Sequence, residues 1–215
     1  RQELIKRIRA GELGDVQLIR AYRQQPVGGM GKKPKSYDEL LWQIKNFTRF
    51  FWVSGGLFAE MNIHQIDEIC WLKDDWPAMA SGIGGRAANS TDRGQGFDSF
   101  AIEWTFPDGT KATDGVSWSG GHSHREFATY VHGTKCAAQF SGNIHAGTTQ
   151  IYKDQRIEKD NIVWKAPREK LTPWDAEWNV LLRSIRNDTP QTEVKRAAYS
   201  NFADLLGRAA GHSGK

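Results

Sequence analysis

The sequence predicts an α+β domain, an open and mainly antiparallel sheet with helices packed on one face. Three observations predict it. Apolar residues recur at helical spacing near both ends of the chain, the period changes to two between about residues 79 and 164, and Gly, Pro and Asp turn signals join the strands as hairpins.

The elements follow in order. Leu4, Ile5 and Ile8 are spaced for burial on a short helix over residues 1–10, stopped by Gly11. Residues 14–24 read as a strand with Val16, Leu18 and Tyr22 on one face and Ile19 and Ala21 on the other. The Gly/Pro-rich stretch 26–36 cannot hold regular structure and is a surface loop, whose functional reading is a lid. Residues 38–52 are dense in aromatics (Trp42, Phe47, Phe50, Phe51, Trp52), most of them expected in the core, though such a cluster can also line a sugar pocket. A helix over roughly 56–72 ends at Trp76-Pro77.

In the strand region Phe100, Ile102, Trp104 and Phe106 alternate with Ser99, Ala101, Glu103 and Thr105, so one face is buried. Pro107-Asp108-Gly109 turns the chain into a strand carrying Val116 and Trp118. Further hairpins join 127–132 to 136–140 and 149–153 to 161–164. Thr172-Pro173-Trp174-Asp175 then caps a helix in which Trp174, Trp178, Leu181, Leu182 and Ile185 read as core packing. After a turn at 187–190, a last helix spans 192–210 and ends near Gly211.

Bulk properties narrow the function. At 215 residues the chain is one domain, and 39% hydrophobic residues with nine Trp and ten Phe suffice for a core. Mean hydropathy is −0.61 and no apolar run approaches ~20 residues, so no membrane span is expected. The net charge of +4 is modest. Its basic residues are dispersed apart from Lys32, Lys33 and Lys35, which is not a nucleic-acid footprint. Cys70 and Cys136 read as buried core thiols. The chain starts without Met, opens mid-helix and stops on Ser-Gly-Lys, so it reads as a piece of a longer protein. No targeting signal is present to choose between cytoplasm and periplasm.

The most informative segment is 52–67, Trp-Val-Ser-Gly-Gly-Leu-Phe-Ala-Glu-Met-Asn-Ile-His-Gln-Ile-Asp. A Gly-Gly pair opens a helix that carries Glu60, His64 and Asp67, which at ~100° per residue lie within about 60° of one another. Phe58, Ala59, Ile63, Ile66, Ile69 and Cys70 form a neighbouring apolar stripe. The polar trio therefore sits at the rim of the buried face, where a helix meets a cleft. An acid and an imidazole one turn apart can share a proton, and Asp67 can hold the imidazole. Trp52, Asn62, Lys32 and Arg86 are the candidate substrate contacts. A metal is not expected, the weak alternative being the His122-x-His124 pair in a Gly-rich stretch, equally readable as surface histidines. Gly82-Ile83-Gly84-Gly85-Arg86 is a poor phosphate loop, since no Lys-Ser/Thr follows it. The chain contains no G-x-G-x-x-G after a strand, no Walker sequence and no G-x-S-x-G, so an acid–histidine helix beside a sheet looks like half of an active site.

Gly11-Glu12-Leu13-Gly14-Asp15 running into a strand, Trp52-Val53-Ser54-Gly55-Gly56 and Glu60 to Asp67 resemble the C-terminal domain of the glucose–fructose oxidoreductase/inositol dehydrogenase (Gfo/Idh/MocA) family. So do Gly133-Thr134-Lys135, residues 184–190 and residues 201–210. The resemblance implies a dihydrodipicolinate-reductase-like C-terminal domain for substrate binding and homo-oligomerisation through the sheet face. It implies an N-terminal Rossmann domain, absent from this chain, that binds NAD or NADP. The implied substrate is a carbohydrate, polyol or derivative oxidised or reduced by hydride transfer. His64 then falls on the family's proton-transfer histidine. Glu60 stands where Asp is usual, and Asp67 is either a partner of His64 or a group without chemical role. This chain alone is expected to bind no cofactor and to be inactive. Glycosidase-type redox chemistry and a non-catalytic carbohydrate-binding or scaffold domain are the alternatives.

Overall fold

A computed structural model describes residues 1–87, 94–118, 124–142, 148–167 and 170–215. Helix α1 (Gln2–Arg9) turns its Leu4, Ile5 and Ile8 inward and gives way at Gly11, whose φ of +80° suits glycine. Strand β1 (Val16–Gln24) follows, with Ile19, Ala21 and Arg23 on its buried face. Two short helices, α2 (Glu39–Lys45) and α3 (Phe51–Ser54), lead into the long α4 (Gly56–Lys73). The strands β2 (Met79–Gly85), β3 (Ser99–Thr105), β4 (Lys111–Ser117), β5 (Glu126–Gly133), β6 (Ala137–Ser141), β7 (Gln150–Tyr152) and β8 (Ile162–Lys165) come next. Helices α5 (Pro173–Arg186) and α6 (Val194–Ser213) end the chain.

The eight strands form one sheet in the order β2-β3-β4-β1-β5-β6-β7-β8. Its hairpins are antiparallel as the turn signals predict, while β1 pairs parallel with β4 from Leu18↔Lys111 to Gln24↔Ser117. One face is helical: α4 lies over β1, β4 and β5, and α6 over β2 and β3. Phe58, Ile66 and Ile69 of α4 meet Phe100, Trp104 and Trp118 of the sheet side in the core.

The candidate phosphate loop is strand β2. A Cβ at Gly84 would stand 2.7 Å from the Phe100 ring and 3.0 Å from the Gly211 carbonyl, so Gly84 lets α6 pack down on the sheet. For the same reason α6 continues past the expected stop at Gly211. A Cβ at Gly207 would come within 2.4 Å of the Trp104 ring, and one at Gly211 within 2.7 Å of Phe100. These glycines are contact positions inside the helix. Trp104 completes the contact by donating its indole N–H to the Ala203 carbonyl at 3.0 Å.

Two expectations about the core are corrected. Trp174, Trp178, Leu181, Leu182 and Ile185 do not pack in the interior: they are 41–66% exposed, the extremes being Leu182 and Ile185. Helical spacing reports a common face, and α5 presents that face outward. The aromatics of 38–52 are likewise not core, since none is fully buried and Phe47 and Trp52 are exposed.

Candidate active site

The site is built on the first half of α4. Gly55 and Gly56 adopt φ of +83° and +89°, which allows α3 to turn sharply into α4. A Cβ at Gly56 would lie 2.7 Å from the Phe51 ring. Arg208 of α6 fixes the turn by donating Nη1–H to the Gly55 carbonyl at 2.6 Å, with its guanidinium 5.1 Å from the Phe51 centroid. Helix α4 therefore starts from a braced position.

Along α4 the side chains divide by face. Phe58, Asn62, Gln65, Ile66, Ile69 and Leu72 are buried. On the stripe of Glu60, His64 and Asp67, His64 is exposed and the two acids are half-buried. Asp67 is engaged by α6: Ser200 Oγ donates to its Oδ1 at 2.9 Å and Arg196 Nη1 lies 3.2 Å from its Oδ2. This acid tethers the two helices, a role neither sequence alternative named. A groove of about 620 Å³ lies at the other end of α4, lined by Arg9, Asp15, Lys73, Asp74 and Asp108 among others. Ion pairs Arg9–Asp74 (2.8 Å) and Lys73–Asp108 (2.6 Å) occupy its charges.

The expected substrate contacts differ in exposure and in what they touch. Trp52 is exposed beside the start of α4 and donates its indole N–H to Gln43 Oε1 at 2.7 Å. Lys32 is exposed in the loop before α2. Arg86 donates Nε–H to the Gly96 carbonyl at 3.0 Å and a second N–H to that of Gly94, which commits it to the 94–96 segment. Asn62 is turned into the interior with no exposed surface, because its position on α4 faces the sheet. Of the metal candidates, His122 lies outside the described residues, and His124 Nε2 stands 3.8 Å from Glu126 Oε2. Among the described residues no group of three or more His, Cys, Asp or Glu is placed to hold a metal.

Sequence reading missed a polar interior beneath this stripe. Asn62, Gln65 and Glu68 of α4 face Arg23, Asp114, Thr129 and Ser141 of the sheet, and Asp204 of α6 is buried nearby. Glu68 Oε2 accepts hydrogen bonds from Thr129 and Ser141, both at 2.6 Å, and Glu68 Oε1 pairs with Arg1 at 3.2 Å. Burial nevertheless raises the Glu68 carboxyl. Burial likewise pushes Asp114 up to about 7, with the Asn62 amide and Arg23 acting the other way. Arg23, stacked 3.8 Å over the Phe127 ring, is lowered to about 10 by burial. The side-chain oxygens and nitrogens of Asn62, Gln65, Asp114 and Asp204 all lack partners in hydrogen-bonding geometry, which sets this interior apart from ordinary core. A signal was available, because period-two alternation in β4 puts Asp114 inward between Ala112 and Val116.

An open sheet covered on one face by helices, one of them carrying a carboxylate and an exposed imidazole a turn apart, defines the class of domain. The sequence profile of the GFO/IDH/MocA C-terminal domain matches residues 2–139, and the chain belongs to that family. Comparison with curated proteins gives no match. Among solved structures, the chain is similar to the aldose-aldose oxidoreductase of Caulobacter crescentus complexed with glycerol, with TM-score 0.73 and 17% identity over 100% of this chain and 58% of that one. It is also similar to the scyllo-inositol dehydrogenase of Lactobacillus casei with bound NAD(H) and scyllo-inositol, with TM-score 0.64 and 20% identity over 99% and 59%. A third is the UDP-N-acetylglucosamine 3-dehydrogenase of Acidithiobacillus ferrooxidans, with TM-score 0.65 and 18% identity over 98% and 61%. The chain thus spans about three fifths of the length of these relatives.

Proposed function

We propose that this chain is the substrate-side domain of an NAD(P)-dependent oxidoreductase acting on a sugar, polyol or derivative. The observation that carries the reading is the stripe on α4, an exposed imidazole and a half-buried carboxylate one turn apart on a helix braced at Gly55. Family membership and the sugar- and polyol-related names of the similar structures support the substrate class.

The glycine-rich segment 82–85 is strand β2, packed under α6. In this reading the nicotinamide is held by a nucleotide-binding part outside this chain, a reading supported by the greater length of the similar structures. When bound there it supplies the hydride acceptor or donor. On this chain, His64 takes the hydroxyl proton in oxidation and returns it in reduction, as a general base and acid. Glu60 accepts a hydrogen bond from the substrate and fixes the hydroxyl before His64. Asp67, held by Ser200 and Arg196, keeps the stripe in register with α6.

Two surfaces serve assembly. The outward apolar face of α5, with Trp178, Leu181 and Ile185 exposed, is where the nucleotide-binding part docks. The sheet face away from the helices is the homo-oligomer surface. There Arg20 Nε donates to His132 Nε2 at 3.0 Å, Arg20 Nη1 donates to Tyr22 Oη at 2.9 Å, and the Tyr22 and Tyr130 rings meet edge-on at 6.3 Å. Arginine and tyrosine are residue types enriched at interfaces, which supports this assignment.

The test uses the polypeptide that joins this chain to its nucleotide-binding half. His64→Ala should cut turnover on a sugar or polyol roughly 10²- to 10⁴-fold. Unchanged turnover would remove His64 from the reaction, and no NAD(P)-dependent turnover on a broad sugar and polyol panel would favour a non-catalytic domain.

A further inference from the structure

We propose that His132 is a proton-operated latch on the open face of the sheet: neutral, it holds Arg20 across a tyrosine pair, and protonated, it frees Arg20 and loosens association between copies of the chain. The consequence for association rests on the assignment of that face to assembly.

The latch is a directional chain of hydrogen bonds. Strand alternation puts Arg20 and Tyr22 of β1, and Tyr130 and His132 of β5, on the face away from the helices, with Arg20 opposite Tyr130 and Leu18 opposite His132. Arg20 Nε donates to His132 Nε2 at 3.0 Å, and Arg20 Nη1 donates to Tyr22 Oη at 2.9 Å. The guanidinium lies 5.4 Å from the Tyr130 ring centroid and 5.9 Å from that of Tyr22. A guanidinium only donates, so His132 Nε2 must be the bare, accepting nitrogen. The other side of the ring agrees. His132 Nδ1 stands 2.9 Å from Gln155 Oε1, and the Gln155 amide is oriented by its Nε2, which donates to the Gly133 carbonyl at 2.7 Å. That carbonyl only accepts, so Gln155 Oε1 is left to accept from Nδ1–H. Two independent contacts therefore fix His132 as the neutral Nδ1–H form.

Protonation adds a hydrogen at Nε2 alone. The bond to Gln155 survives it. The bond from Arg20 does not, because two donors then face each other at 3.0 Å and both groups are positive. The other groups on this face have their own partners. On β5, Glu126 accepts from Tyr130 Oη at 3.2 Å. Strand β6 presents the uncharged Ala137 and Gln139, and Tyr152 of β7 bonds to Gln139 and Gln150. On either side of Gln155, Asp154 pairs with Arg156 at 2.9 Å. Beyond β1, Lys111 of β4 pairs with Glu103 of β3 at 2.7 Å. Burial holds the His132 imidazole below its ordinary value, the Gln155 bond opposing and Arg20 adding to the effect. The fold thus favours the neutral ring, so the latch is closed at neutral pH and opens as pH falls below about 6.5. Arg20 then leaves its place over the tyrosines. In an assembled pair each copy also brings one more positive charge to the shared face.

Nitrogen-detected NMR of the imidazoles in the 215-residue chain is the first test, with His132→Gln used to assign the ring. Near neutral pH His132 should be in the Nδ1–H form, and its midpoint should lie below about 6.5. In Arg20→Met that midpoint should rise by roughly half a unit or more. The Nε2–H form, or a midpoint indifferent to Arg20→Met, would overturn the proposal. The second test is sedimentation of the same chain at micromolar concentration. Acidification from about pH 7.5 to about pH 5.5 should weaken association about tenfold or more, within the range usual for coupled sites. His132→Gln, whose amide oxygen can accept from Arg20 but takes no proton in this range, should associate equally at both. Wild-type association that ignores pH, or a His132→Gln variant as pH-sensitive as wild type, would overturn the switch. A wild-type monomer at both pH values would instead sink the assignment of the sheet face to assembly, and the imidazole spectrum would then decide the latch.

Discussion

Asn62 and His64 stand two residues apart on α4 and face opposite environments, one sealed against the sheet and the other open to solvent. The 3.6-residue period put Glu60, His64 and Asp67 on one stripe, and the structure keeps them there. What the sequence did not show was that the opposite, sheet-facing stripe is partly polar, because Asn62, Gln65 and Glu68 are ordinary surface residues until their strand partners are known. Asp114 supplies a prediction at this scale. Its folded-state value of about 7 lies above the unfolded carboxyl near 3.9, so between those limits the folded chain holds a proton that the unfolded chain has lost. Its contribution to stability is thus largest below about pH 4 and falls as pH rises toward 7. The Tm of Asp114→Asn relative to wild type should accordingly climb between pH 5 and 8. A difference that stays flat across that range would show that Asp114 ionises normally in the fold.

At the scale of elements, the local features were legible and the occupants of faces were not. Thr172 accepts from the Asp175 N–H with Pro173 in the first turn, as the cap pattern predicts. The hairpin turn at Gly109 has the expected positive φ of +86°. By contrast, the apolar period of α5 predicts core packing although nothing among the described residues buries that face, and periodicity alone cannot tell a buried face from a docking face. Trp178→Ala in this chain should therefore change stability by only about 0.5 kcal/mol or less, as at other exposed positions. Trp104→Ala, at a ring 1% exposed, should cost about 3–5 kcal/mol. Chemical denaturation of the two variants compares them directly, and equal losses would mean that α5 does pack on the domain in solution. Gly207 lies inside α6, where glycine ordinarily weakens a helix. Its Cβ-free contact with Trp104 instead makes Gly207→Ala an overpacking change of about 1–3 kcal/mol, where helix propensity alone would predict a gain of about 1 kcal/mol. Denaturant midpoints settle the sign.

At the scale of the whole molecule, the hairpins follow from turns a few residues long, but the central parallel pairing of β1 with β4 joins Leu18 to Lys111 across the whole α4 excursion and leaves no local trace. That pairing puts β1 mid-sheet, which brings Arg23 beneath α4 and sets Arg20, Tyr22, Tyr130 and His132 on the open face. If that face joins copies of the chain, light scattering should show a dimer or larger assembly at micromolar concentration, and Arg20→Glu should shift it toward monomer. A clean monomer of wild type would count against that surface. The central claim remains that an imidazole on an outward helix stripe moves the substrate's hydroxyl proton. Its most direct test is chemical rescue in the joined polypeptide: with His64→Ala impaired, added imidazole should restore turnover about tenfold or more in a saturable way, by reoccupying the vacated position. His64→Ala turning over at the wild-type rate without imidazole would contradict the account.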